Sequence, residues 1–425
     1  MKLLYLDPSY NSSKFRTEFR IPNNLVVYSD MEILNVGLQK TDNGDTKYNS
    51  FGAFNIIKSI EVYDGSTLLD QVQAFDIYQS WRQVSRSNAD NQSNARALNG
   101  GDLGYLNFGA YEYDNLGAET ANPKIVPFIP AYTNELYGAN ATEADKKKNG
   151  KVLSLPEYLG IFKGFMYFPP NVFKDLRIVI NYNSNVLDAV IDRTGTYETL
   201  EPFMSLRYEE NEEMAMARMK QFSGGVFDTI EHASVVLPAV NVADDATEVQ
   251  EESYFIKSYN DKYITDLVMV KTPNNPTTYT SGNNTHPYSK YGSVSQCEFE
   301  VQNRYNGVTQ FPNKLRGQNR SLAMLVDSVN GLTMATGQNL VQVAEGGFQD
   351  FYNDRFLGGQ ASYVGWRVDD LIKEWKMDVQ RRAIGDPAGQ ANENLAQRQS
   401  LTLNMFAKSR KSIVPTANGY IVQYV

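Results

Sequence analysis

Apolar and polar residues alternate with period two along much of the chain. Phe15, Thr17, Phe19 and Ile21 alternate with Arg16, Glu18 and Arg20, and Cys297, Phe299 and Val301 alternate with Glu298, Glu300 and Gln302. Leu401, Leu403 and Met405 are likewise separated by Thr402 and Asn404. Successive strand side chains point to opposite faces, so this pattern predicts antiparallel strands with one buried and one wet face. Further strands are predicted over Glu32 to Gln39, Ile56 to Tyr63, Leu176 to Tyr182, Phe203 to Tyr208, Ile264 to Val270 and Tyr420 to Val425. Helices are few and short. The clearest runs from Gln73 to Ser85, with Ala74, Ile77, Tyr78, Trp81 and Val84 on one stripe at 3.6 spacing.

The turns suggest an internal duplication. Ser59 to Tyr63 runs into Asp64-Gly65, a hairpin signal, then a short strand through Val72 and the Trp81-bearing helix. Cys297 to Val301 leads in the same way through Asn306-Gly307 to a short strand ending near Phe311, then a helical pattern from Gln318 to Val329. Later, Phe173 to Ile180 matches Ile372 to Val379 in pattern. Two copies of one β-fold are implied. The seam is placed at Glu209 to Gln221, where acidic residues open a helix-favouring stretch that Ser223-Gly224-Gly225 ends. The expected organisation is an N-terminal unit over 1–209, an acidic helical linker over 210–225 and a C-terminal unit over 226–425. Ala89 to Gly150, with its Lys146-Lys147-Lys148 run, and Thr272 to Gly292 break the strand rhythm and are expected to be exposed loops with little sheet.

Composition narrows the chemistry. At 425 residues the chain exceeds the roughly 250 to 300 residues that one core usually serves. Its net charge of −9 and its lack of a polybasic arm argue against direct or sequence-specific nucleic-acid binding. A single cysteine, Cys297, excludes an intrachain disulfide framework, and with only His232 and His286 beside it a His/Cys zinc site is not expected. The start of the chain, Met1 to Pro8, has an apolar run too short for a signal peptide, so no secretory route is expected. The most apolar stretch, Val235 to Ala243, is interrupted by Pro238 and Asn241 and falls far short of a membrane span.

Candidate catalytic groups do not form constellations. Glu209/Glu210, Glu212/Glu213, Asp244/Asp245 and Asp369/Asp370 are adjacent pairs, whose members diverge on a strand or helix and so do not face one substrate as paired glycosidase carboxylates do. Asp90 to Asn94 lacks the glycine and the bidentate Glu of a calcium loop. Neither histidine has a partner Ser or Cys motif, Gly-Xaa-Ser-Xaa-Gly and phosphate-binding Gly-Lys-Ser/Thr loops are absent, and Cys297 reads as core. The expectation is therefore a non-enzyme with no catalytic, cofactor-binding or metal-ligating residue and no cofactor.

The run Ile57 to Asp70 followed by the Trp81 helix resembles the strand, glycine turn, strand and helix segment of double jelly-roll major capsid proteins of double-stranded DNA viruses. These belong to the adenovirus-hexon lineage, and the Polinton-like, adintovirus and virophage types are the nearest in character. Phe19 to Pro22 with Glu32 to Leu38, Phe173 to Tyr182 and Asn418 to Val425 support the resemblance, which spans most of the chain. It implies an all-β fold of two tandem eight-stranded antiparallel jelly rolls with a few short helices in connecting loops. It further implies a homotrimeric, pseudo-hexameric capsomer of an icosahedral shell, located in the virion, made in the host cell without a secretion signal. Penton and minor capsid proteins would be its partners, and an inner membrane is compatible with it. The alternative is a β-rich attachment or glycan-binding protein, using Tyr105, Tyr111, Tyr113, Tyr132 and Tyr137 of the long loop to stack on sugars.

Overall fold

A computed structural model of the chain describes residues 1–12, 15–41, 46, 48, 52–86, 150–190, 195–238, 249–274, 297–310, 363–383, 400–416 and 419–425. It also describes two short strand pairs, Glu112–Tyr113 with Pro123–Lys124 and Thr280–Ser281 with Asn284–Thr285. The expected short strand ending near Phe311 is described over Val308–Thr309, whereas the Gln318 to Val329 helix, Tyr105, Tyr111, Tyr132 and Tyr137 of the long loop, the Tyr113 side chain, Asp90 to Asn94, Asp244/Asp245, His286 and the Cys297 side chain lie outside the described residues, as do the two expected loops apart from these pairs and their ends.

The alternating segments form strands in two matching sets. The first comprises β1 (Lys2–Leu6), β2 (Arg16–Arg20), β3 (Glu32–Val36), β4 (Ile57–Asp64), β5 (Thr67–Gln73), β6 (Lys151–Ser154), β7 (Leu176–Tyr182) and β8 (Phe203–Tyr208). The second comprises β9 (Gly225–Leu237), β10 (Val249–Phe255), β11 (Lys262–Pro273), β12 (Cys297–Tyr305), β13 (Val308–Thr309), β14 (Tyr363–Ile372), β15 (Trp375–Ala383) and β16 (Leu401–Thr416). A closing strand, β17 (Gly419–Tyr424), follows. Strand pairing runs β1-β8-β3-β6 and β2-β7-β4-β5 in the first set, and β9-β16-β11-β14 and β10-β15-β12-β13 in the second. Among these sixteen strands each corresponds to the one eight places later and all neighbours are antiparallel; Tyr10–Ser12, Val27–Tyr28 and Tyr167–Phe168 add short strands to the sheets of the first set alone, and each set makes the two facing sheets of a jelly roll.

The equivalence extends to turn chemistry. Gly65 and Gly307 adopt left-handed φ values of 57° and 81° at the two hairpin turns, a conformation glycine takes at no steric cost. Asp64 Oδ1 accepts from the Asp175 backbone at 2.6 Å, and Asn306 Oδ1 accepts from the Lys373 and Glu374 backbones at 2.8 and 3.2 Å. The same short polar side chain thus pins the same neighbouring strand in both copies.

Each sandwich buries its inward row. Phe19, Ile33, Ile60, Val62, Ile178, Met204 and Leu206 meet in the first core. In the second, Trp366 donates to Tyr305 at 2.5 Å and Trp375 to Asn303 at 2.8 Å, so each buried indole N–H keeps a partner. Several boundaries differ from the sequence pattern. Phe15 is 69% exposed, because pairing starts at Arg16. Glu32 to Gln39 is interrupted at Gly37, after which Leu38–Lys40 pairs with Tyr197–Thr199. The helix, α1, spans Phe75–Arg86, since Ala74 adopts a left-handed turn at φ 47°. The Thr272 to Gly292 stretch begins within β11.

Candidate functional site

The two sandwiches meet at a closely packed seam. Tyr78 of α1 lies with its ring 5.3 Å from Phe406, and Ile230, Val268, Val270 and Phe406 from the outer face of the β9-β16-β11 sheet join the core cluster of the first sandwich. Phe165 packs against Phe222 and Phe227 at 5.7 and 5.9 Å, and Phe173 against Phe222 and Tyr420 at 5.7 and 5.4 Å. Phe222 follows α2 (Glu212–Gln221), a helix capped by Asn211 accepting from the Met214 backbone at 3.1 Å. The connecting segment is therefore anchored by an aromatic side chain.

A buried polar network crosses the same seam. Asp70 of β5 accepts hydrogen bonds from Thr229 Oγ1 of β9 at 2.6 Å, from the Gln71 backbone at 2.9 Å and from the Ile161 backbone at 3.0 Å. Burial pushes its carboxyl above the usual range, against the pull of Thr229, Lys411 and the two backbone donors. Lys411 reaches the Leu69 carbonyl at 3.5 Å and Glu231 at 3.7 Å, and Glu231 also accepts from Lys262 at 2.8 Å and Tyr424 at 2.7 Å. Burial raises the Glu231 carboxyl, but the two lysines and its hydrogen bonds outweigh this and hold it below its ordinary value. Tyr420 donates to Asp64 at 2.9 Å, so β17 ties back to the first sandwich. The backbones also approach closely: a Cβ at Gly160 would lie 1.5 Å from the Asp228 carbonyl oxygen.

A cleft of about 590 Å3 opens along this seam, lined among others by Arg82, Tyr158, Lys163, Asp228, Lys408 and Arg410. Its charges are largely satisfied internally. Arg82 pairs with Glu157 at 3.4 Å and stacks over Tyr158, while Asp228 holds Lys408 at 3.0 Å and Arg410 at 3.1 Å.

Glu209 and Glu210 take different partners. Glu209 accepts from Tyr28 at 2.5 Å, a bond that holds its carboxyl below the usual range, while Glu210 pairs with Lys2. Glu212 and Glu213 occupy the first turn of α2. Asp369 accepts from Tyr263 at 2.8 Å. His232 contacts Asn404 Oδ1 at 3.1 Å and lies against Phe406, and burial pushes its imidazole pKa down. Among the described residues no three or more His, Cys, Asp or Glu side chains gather as a metal site. Asp70, Thr229, Glu231 and Lys411 escaped the sequence analysis. No local pattern marks them: Asp70 precedes Gln71, Thr229 follows Asp228, Glu231 precedes His232, and Lys411 lies between Arg410 and Ser412.

No family model and no curated protein matches the sequence. Solved structures do match, over almost the whole chain. VP54 of PBCV-1, as fitted into a reconstruction of the virophage Sputnik, has a TM-score of 0.52 at 10% identity, covering 100% of this chain and 97% of that one. The mavirus major capsid protein gives 0.51 at 9%, covering 99% and 90%. The Faustovirus major capsid protein gives 0.51 at 8%, covering 98% and 90%. The protein has the double jelly-roll fold of these capsid proteins, and at such identities the likeness is one of fold.

Proposed function

We propose that the protein is a structural major capsid protein that forms pseudo-hexameric homotrimers and, through them, an icosahedral shell. The observation that carries this reading is the eight-strand pairing order shared by the two sandwiches within one chain, locked by a buried seam. A rigid pair of near-equivalent sandwiches gives a threefold assembly six similar edges, the geometry hexagonal packing requires. In this reading residues 1–209 are the N-terminal jelly roll, 210–225 the acidic helical linker and 226–425 the C-terminal jelly roll. No catalytic, cofactor or metal-binding role is assigned to any residue. The protein's place is the virion, its partners are further copies of itself with penton and minor capsid proteins, and an underlying membrane fits the reading. Fold similarity alone leaves other duties open to a jelly roll. Negative-stain microscopy of the purified protein tests it: hexagon-outlined particles or shells are expected, whereas single chains that bind a glycan array would favour the attachment-protein reading.

A further inference from the structure

The cleft along the seam differs in charge from the molecule as a whole. In a chain of net charge −9, four cations, Arg82, Lys163, Lys408 and Arg410, line it against two acidic side chains, Glu157 and Asp228. The excess persists when a carboxylate at Val425, which also lines the cleft, is counted. The cations stand on both sides of the seam. Arg82 belongs to α1 and Lys163 to the Ile161–Gly164 helix of the first sandwich, whereas Lys408 and Arg410 lie two apart on β16 of the second and so share a face. Asp228 sits between Lys408 and Arg410 at 3.0 and 3.1 Å, so one negative charge is shared by two positive ones. Across the seam, Arg82 is held by Glu157 at 3.4 Å and by the Tyr158 ring, whose centre lies 4.7 Å from the guanidinium carbon. These pairings fix the cationic heads before a ligand arrives, which lowers the ordering cost of binding. Between the charges the lining is apolar. Leu159, Phe227 and Ile230 contribute to it, and Val226 within it is 51% exposed. The volume of about 590 Å3 is that of an ordinary ligand site.

We infer that this cleft is the docking site for a short acidic peptide segment of a partner protein, one that sets separated carboxylates against the two sides and an apolar side chain between them. Charge complementarity selects the occupant. The cations are distributed over two sandwiches and are not gathered around one point, so spaced carboxylates match them. A compact polyphosphate would concentrate its charge close to Asp228 or Glu157 and be repelled by them, and it would leave the apolar lining uncovered. A leucine or similar side chain covers that lining and removes Val226 from water. A nucleic-acid strand carries its charge on a regular backbone, which a chain of net charge −9 repels as a whole. The inference deepens the capsid reading, in which minor capsid proteins are among the partners, and rests on it only for the source of the segment.

The test is fluorescence anisotropy of a fluorescein-labelled peptide of alternating glutamate and leucine, titrated with the full-length chain. Saturable binding is expected, weakening as salt is added because exposed charges are screened, and the same peptide with lysine in place of glutamate should not bind. Lys163→Glu together with Arg410→Glu reverses one exposed cation on each side of the seam and should weaken binding by roughly tenfold or more. A map on the unsubstituted protein is independent of the variant's folding: a benzophenone in place of the central leucine should crosslink to Tyr78, Tyr158 or Val226. Crosslinks confined to other surfaces, undiminished affinity in the double variant, equal binding of the lysine peptide, or no binding at all would overturn the assignment. Displacement of the peptide by equimolar tripolyphosphate would overturn it as well, transferring the cleft to compact phosphates. The two readings fail separately: hexagon-outlined particles that ignore the acidic peptide would defeat this inference alone, and a single chain that binds it would defeat the capsid reading alone.

Discussion

Gly160 and Gly65 illustrate two different demands on glycine. At Gly160 the limit is space, because the Asp228 carbonyl occupies the position of a Cβ. Gly160→Ala should separate the sandwiches locally and lower stability by about 3 kcal/mol, as overpacking of a rigid contact does. At Gly65 nothing lies within 4 Å of the added carbon, and only the left-handed φ resists substitution. Gly65→Ala should cost only about 1 kcal/mol. Chemical denaturation of the two variants checks the ranking. Titration gives a second residue-level prediction. The folded His232 binds its proton less readily than an ordinary imidazole of pKa 6.5, so below that pH the unfolded chain takes up a proton that the folded chain refuses. His232 therefore contributes stability that is present above about pH 6.5 and is lost as the pH falls through its lower folded value. Glu231, also depressed, acts with the same sign in a lower window, beginning near its ordinary value of 4.5. Asp70, raised by burial, acts in the opposite sense and is relieved by acid. Urea midpoints measured from pH 7.5 to 5 should fall less steeply for His232→Gln than for the native chain; parallel slopes would contradict this.

At the scale of elements, the carboxyl-terminal strand was legible in kind. The alternation of Tyr420, Val422 and Tyr424 predicts a strand that pairs with the Leu401 to Ala407 region or a neighbouring strand, and β17 pairs with Lys411–Thr416, the far end of the strand that begins at Leu401. The reason is that the first part of β16 is already flanked by β9 and β11, while the end beyond Ser409 still has one free side. A reader of sequence sees that residues alternate, not which edge is vacant. The short helices Leu155–Tyr158 and Ile161–Gly164 were missed altogether, since four residues are too few to show a helical period, although Pro156 near the start of the first is a helix-opening residue. Conversely, Asp64-Gly65 and Asn306-Gly307 were legible because hairpin turns depend on local chemistry alone. Deleting Gly419 to Val425 should remove the Tyr420 bond to Asp64 and the Tyr424 bond to Glu231 and bare an unpaired edge. Size-exclusion chromatography is expected to show aggregate in place of soluble assembly; a normally assembling truncated chain would recast β17 as dispensable.

For the whole molecule, the decisive feature is that pairing order repeats while sequence hardly does. The β4–β7 and β12–β15 pairs share a turn, a capping side chain and an antiparallel register, which is why their likeness could be read from residues 57–65 and 297–307 together with the patterns at 173–180 and 372–379. The seam could not be read in the same way. Asp70 and Thr229 are 159 positions apart, and no local pattern reports that a polar side chain in one sandwich will be satisfied by the other. That lock joins the two sandwiches, and under the proposed function it would hold them together as identical chains close a ring. The central claim is therefore tested most directly by the mass of the particle in solution. Sedimentation equilibrium of the full-length chain at micromolar concentration should give three times the 47.9 kDa chain mass, with an interface large enough to resist dilution. A monodisperse species at the single-chain mass under the same conditions would contradict the account.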